Sequence, residues 1–204
     1  MMAEQTWFVF DLGNVVVKLA YERVLASLCA KSAIDRDELV ELLEDAGGYR
    51  DMERGAVTFL DFYDFLCDRA KYRGSLRDFQ EVWADFFDGT MPGIEDLLDK
   101  VRERYRVAFL SNSNEIHAEG IPRSFGVLFR RDDRFIFSHR LKVAKPDPEI
   151  FRRAAEILGA LPQHIIFVDD LLENVLAARG VGMTAFQFTD AVSMEKTLKA
   201  EGLL

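Results

Sequence analysis

Three four-residue apolar runs, each cut off by a residue able to do chemistry, constrain this 204-residue chain more than any other feature. They are Trp7-Phe8-Val9-Phe10 before Asp11, Val107-Ala108-Phe109-Leu110 before Ser111, and Ile165-Ile166-Phe167-Val168 before Asp169 and Asp170. A short run with no polar interruption reads as a strand covered on both faces, the habit of parallel sheets. Amphipathic helical stretches lie between the runs: Ile94 to Arg104, Pro148 to Leu158 with proline at its first position, and Leu172 to Arg179. Phe135 to Phe137 and Thr184 to Phe186 fit two weaker strands. Strand alternating with helix predicts an α/β fold, a doubly wound parallel sheet (Rossmann-like core) with right-handed crossovers.

Residues from about 18 to 90 break that rhythm. No strand-like run occurs there, only helical periodicity at roughly 21–30, 35–46, 57–71 and 75–87. Asp35 and Ser75 are suited to N-capping, and Gly47-Gly48 and Gly74 to stopping helices. The expectation is an inserted all-helical cap domain over 18–89, with 1–17 and 90–204 forming the core and Pro92-Gly93 marking the return. The Phe-rich positions Phe59, Phe62, Phe65 and Phe79 read as the cap's own core.

The chain carries a formal charge of −9, and 16 acidic against 10 basic residues between 18 and 90 supply most of it. Such a chain has no electrostatic basis for gripping nucleic acid or an anionic membrane, so neither is expected as a partner. The N-terminal MMAEQTW lacks a basic segment followed by an apolar stretch, so no signal peptide is expected. Cys29 and Cys67 have no metal-ligand spacing and read as buried, inert thiols, which fits a cytoplasmic protein, monomeric or homodimeric.

In an open parallel sheet the ligand site lies beyond the carboxyl ends of the strands. The residues that follow the three strong strands therefore converge: Asp11 and Asn14; Ser111, Asn112 and Ser113; Asp169, Asp170 and Asn174. Lys145, in Val143-Ala144-Lys145-Pro146-Asp147-Pro148, opens a helix at the same edge. Carboxylates held this close repel one another and favour a hard divalent cation such as Mg²⁺. Backbone N–H groups, the Ser111 hydroxyl and the Lys145 ammonium can then cradle a phosphate.

FDLGNV at 10–15, LSNSN at 110–114, Lys145 within KPDP, and FVDDLLEN at 167–174 resemble the four motifs of the haloacid dehalogenase superfamily, in order. The helical insertion is similar to its C1-type cap. The combination of DLGN, LSN, KP and DD, with Glu53-Arg54-Gly55 in the cap, is similar to the bacterial α-glucose-1-phosphate phosphatase-like branch. The resemblance implies a Mg²⁺-dependent phosphatase acting on a small phosphorylated metabolite. It makes Asp11 the nucleophile; Asp11, the Gly13 carbonyl and Asp170 the metal ligands; and Ser111, Asn112 and Lys145 the phosphate-binding groups. Asp169 and Asn174 would support them, Arg54 is a candidate substrate contact, and Lys145-Pro146 is a candidate cis peptide. The chain departs from the family at Gly13, where most phosphatases carry a second Asp as acid and base. Without that donor, anomeric sugar phosphates are the expected preference, and His117 or a cap side chain is the remaining source of a proton. Two competing readings are carbon–halogen hydrolysis, which needs no acid and no metal, and a weakly active or non-catalytic family member.

Overall fold

The computed structural model describes residues 6–204, so MMAEQ, most of the segment read for a leader, lies outside the described residues. The chain enters through β1 (Trp7–Phe10) and β2 (Val17–Leu19), then five helices: α1 (Tyr21–Cys29), α2 (Arg36–Glu44), α3 (Tyr49–Glu53), α4 (Phe59–Arg69) and α5 (Leu76–Ala84). After β3 (Phe87–Thr90) come α6 (Ile94–Arg102), β4 (Arg106–Ser111), α7 (Glu115–Ser124), β5 (Arg134–Phe137) and α8 (Ser138–Leu141). The last elements are α9 (Pro148–Leu158), β6 (Ile165–Asp169), α10 (Leu172–Gly180), β7 (Thr184–Gln187) and α11 (Ala191–Ala200).

Five strands form one parallel sheet in the order β5-β4-β1-β6-β7, as the apolar runs predict. Period-two alternation splits β1 between two cores. Phe8 and Phe10 pack with Ile94, Leu97 and Val101 of α6 and Met194 and Leu198 of α11. Trp7 and Val9 pack on the other face with Ile150 and Phe151 of α9 and Val175 of α10. Both faces are covered, which is why the strand sequence has no polar position.

The helices α1 to α5 hold a third apolar cluster of their own, with the rings of Phe59, Phe62, Phe79 and Trp83 packed against one another within it. Asp35, Thr58 and Ser75 each cap a helix with a reciprocal capping box. Two features of this interval differ from the sequence expectation. The interval is not strand-free, because β2 and β3 pair antiparallel, Val17 with Thr90 and Leu19 with Phe87. A fifth helix, α3, follows Gly48, too short to generate a recognisable period.

Elsewhere, the charged loop at 130–134 is anchored inward: Arg102 Nη2 holds the buried Asp133 carboxylate at 2.6 Å and the Leu128 carbonyl at 2.8 Å. Cys29 and Cys67 are half-buried rather than buried. Among the described residues, no helix is long and apolar enough to cross a membrane.

Candidate active site

The strand register places the chemistry. Phe10 is level with Phe109 of β4 and Val168 of β6, so the next residues, Asp11, Leu110 and Asp169, sit side by side at the carboxyl edge. The Asp11 N–H donates to the Val168 carbonyl at 2.8 Å, extending the ladder one step beyond β1 and fixing the carboxylate. At this edge a cavity of about 230 Å³ opens, lined by Asp11, Ser111, Asn112, Lys145, Asp170 and Asn174 from the sheet side and by Tyr49 and Glu53 from α3.

Lys145 is the hub. Its buried ammonium donates to Asp11 Oδ1 at 2.7 Å, Asp169 Oδ2 at 2.6 Å and the Leu110 carbonyl at 3.0 Å, using all three protons. Burial opposes the Lys145 charge, but Asp11 and Asp169 outweigh it and hold the group above its ordinary range. Asn112 sets the backbone of this residue: its Oδ1 accepts from Lys145 N–H at 2.8 Å and its Nδ2 donates to the Lys145 carbonyl at 2.9 Å. The Asn112 side chain, expected on the phosphate, is thus committed to Lys145, leaving its backbone N–H for an anion. The Lys145-Pro146 peptide is cis.

Asp11, Asp169 and Asp170 each bring a carboxylate oxygen within 4.8 Å of the others. Burial first, then the neighbouring acids, push the Asp11 carboxyl above its usual range despite Lys145, and Asp170 is raised by burial and Asp169. Asp169 is fully enclosed and fully engaged. Its Oδ2 accepts from Lys145, and its Oδ1 accepts from Leu171 N–H and Asn174 Nδ2, each at 2.9 Å. Leu171 occupies the N-cap of α10. Asp170 is the freer carboxylate. Asn174 Oδ1, buried in the same wall, has no protein partner.

Glu53-Arg54-Gly55 divides its work differently from the sequence expectation. Arg54 is exposed and paired with Asp51, and it does not line the cavity. Glu53 does line it. Gly55 adopts φ +62°, and a β-carbon there would lie 2.3 Å from the His139 carbonyl oxygen, so only glycine permits this close approach. Ser138 Oγ donates to the Glu53 carbonyl and Lys142 Nζ to the Gly55 carbonyl, each at 2.5 Å, docking the triplet against the sheet edge. Glu53 was visible only as part of the triplet; Tyr49 carried no sequence signal.

His117, the other candidate proton source, is closed to that role. Its ring lies between Trp83, Phe86 and Phe87, with Nε2 donating to the Trp83 carbonyl at 3.2 Å and Nδ1 accepting from Asn114 Nδ2 at 3.2 Å. Burial lowers it to about 4, so it is neutral and both nitrogens are occupied.

A family model described as haloacid dehalogenase-like hydrolase matches residues 6–182. The D-ribitol-5-phosphate phosphatase of Bacteroides thetaiotaomicron is 25% identical over 189 residues, covering 88% of this chain and 89% of that protein. A haloacid dehalogenase family enzyme from the same organism, crystallised with magnesium and inorganic phosphate, superposes with a TM-score of 0.77 at 26% identity, covering 91% of this chain and 95% of the other. A haloacid dehalogenase-like hydrolase of Porphyromonas gingivalis shares the fold at a TM-score of 0.79 and 24% identity, covering 97% of this chain and 99% of its own.

Proposed function

Because the chain belongs to the haloacid dehalogenase-like hydrolases, we propose that it is a Mg²⁺-dependent phosphatase of small phosphorylated metabolites working through an aspartyl-phosphate on Asp11. The observation that carries this reading is the buried Lys145 ammonium bridging Asp11 and Asp169 at 2.7 and 2.6 Å beside the freer Asp170 carboxylate. A metal-independent dehalogenase would leave the Asp170 charge in this cluster without a purpose. The relatedness to a D-ribitol-5-phosphate phosphatase supports a phosphorylated sugar or sugar alcohol as the substrate class, and the cavity of about 230 Å³ suits a small one.

The residues fit a hard divalent ion. Asp11 Oδ2 and the Asp170 carboxylate lie outside the Lys145 and Asp169 hydrogen bonds, the Gly13 carbonyl belongs to the same loop, and the unpartnered Asn174 Oδ1 suits a metal-bound water. Bound there, Mg²⁺ would offset the like charges and draw negative charge from a phosphoryl oxygen. Asp11 attacks phosphorus in line with the leaving oxygen, while Lys145 neutralises charge on the equatorial oxygens. Ser111 and the backbone N–H groups after β4 hold the phosphate, and water then hydrolyses the acyl phosphate. Residues 18–89, on this reading, act as a cap that shields the site from bulk water and supplies substrate contacts.

Phosphate release from p-nitrophenyl phosphate with Mg²⁺, abolished by EDTA and restored by excess metal, is the expected result. Metal-independent halide release from a 2-haloacid, with no phosphatase activity, would overturn it.

A further inference from the structure

At Gly13 the chain lacks a side chain to protonate the leaving group, and His117 has no free nitrogen to do so. Among the described residues, the cavity wall holds one other acid not committed to the metal cluster or to Lys145: Glu53, at the C-terminal end of α3. Its backbone is fixed to the sheet edge by Ser138, and Gly55 brings this segment within contact of His139, so Glu53 stands over the same cavity as Asp11 and Lys145.

We propose that Glu53 is the general acid and base of this enzyme, delivered from the helical segment in place of the missing side chain at position 13. The inference rests on the phosphatase reading above. In the first step the Asp11 carboxylate forms a bond to phosphorus as the bond to the ester oxygen breaks. The Glu53 carboxyl gives its proton to that oxygen, so an alcohol leaves and Glu53 becomes a carboxylate. In the second step water attacks the aspartyl-phosphate, Glu53 takes a proton from it, the bond from phosphorus to Asp11 breaks, and inorganic phosphate and protonated Glu53 result.

The surroundings suit a group that must carry a proton near neutrality. Burial in the cavity wall pushes Glu53 up to about 7, and Glu44 of α2 acts in the same direction. The hydrogen bond from Tyr49, the Lys145 ammonium and Arg50 restrain the rise. Glu53 and Lys145 line the same cavity, so one bound phosphate ester can meet both. With Glu53 as donor, the preference for anomeric phosphates expected from Gly13 no longer follows, and esters of ordinary alcohols become competent substrates.

The test is kcat/KM for a series of aryl phosphates from 2,4-dinitrophenyl to phenyl phosphate, with Mg²⁺, in the wild type and in Glu53→Gln and Glu53→Asp. Because kcat/KM reports the step up to phosphorylation, it isolates proton donation from the later hydrolysis. The wild type should depend weakly on leaving-group acidity. Glu53→Gln should lose about 100-fold or more at the phenyl end and only about threefold at the dinitrophenyl end. Glu53→Asp should recover part of the phenyl rate. The wild-type phenyl rate should also fall as pH rises through about 7, a limb that vanishes in Glu53→Gln. Equal losses across the series would make Glu53 a positioning residue, and a steep dependence already present in the wild type would remove the donor altogether; either overturns the proposal while leaving the phosphatase reading intact. A wild type that hydrolyses none of these esters overturns both.

Discussion

The side-chain amide of Asn112 grips the main chain of Lys145 at both ends, accepting from its N–H at 2.8 Å and donating to its carbonyl at 2.9 Å. This clamp ties the loop after β4 to the loop before α9, and so aims the ammonium at Asp11. Asn112→Ala removes the clamp without touching the other groups proposed to hold phosphate. We expect kcat to fall by about 100-fold, the scale on which a 1 Å misplacement acts, with little change in KM. Steady-state kinetics on p-nitrophenyl phosphate decide it; an unchanged kcat would mean that the loop holds its shape unaided.

Asp11→Asn keeps the shape of the proposed nucleophile and discards its charge. Turnover should drop by about 10⁴-fold or more, while the circular dichroism spectrum stays native. A wild-type rate in this variant would move the nucleophile elsewhere.

The adjacent aspartates should separate cleanly. Asp169 is enclosed and holds Lys145, Leu171 N–H and Asn174, so Asp169→Ala breaks one of the two buried ion pairs of Lys145, leaves two buried donors without their acceptor, and should cost about 3–5 kcal/mol of stability. Asp170 is less enclosed and meets only the Asn14 side chain in this way. Asp170→Ala should leave the metal-free melting temperature unchanged or slightly raised, since a like charge is gone. It should raise the Mg²⁺ concentration for half-maximal activity by about 10–100-fold or more, the loss typical of groups that support a metal ligand. Denaturant unfolding and metal titration of the two variants check both halves.

His117 sets an acid limit on stability. Its folded-state value is lowered to about 4 by burial, below the ordinary 6.5, so the unfolded chain binds the proton more readily. The contribution is therefore complete above pH about 6.5 and is lost as pH falls towards about 4, on the order of 3 kcal/mol in all. His117→Gln should flatten the stability profile in that window, measured by urea unfolding at a series of pH values. The same slope in variant and wild type would place the acid sensitivity elsewhere.

The sheet was legible because burial on both faces forces four consecutive positions of β1, β4 and β6 to be apolar, and its parallel topology then brought Asp11, Ser111 and Asp169 to one edge. Two short strands were not. Val17-Lys18-Leu19 and Phe87-Asp88-Gly89-Thr90 form a two-stranded ribbon in which only Val17 is buried, so neither shows the four-residue apolar run that marks β1, β4 and β6. Roles that depend on distant partners were equally hidden. The Asn112 amide spends itself on Lys145, 33 residues away, and His117 meets Trp83, 34 residues back. In the Glu53-Arg54-Gly55 triplet, charge drew attention to Arg54, whereas the backbone turn at Gly55 presents Glu53 to the cavity and sends Arg54 outward to Asp51.

Because Val17 meets Thr90 and Leu19 meets Phe87, the polypeptide leaves the sheet and rejoins it at a single point. To β1 and β4, which must find each other with Phe8 opposite Val107, helices α1 to α5 are a detour whose two ends are stitched together. Once the stitch forms, these two neighbouring strands are joined through residues 11–16 and 91–105 instead of the whole intervening chain, and the entropy of bringing them together shrinks accordingly. The wiring of the sheet is then indifferent to the length and content of what hangs from that point. Trimming, lengthening or exchanging the helices would redraw the roof over the cavity while β1 and β4 continued to meet in the same register.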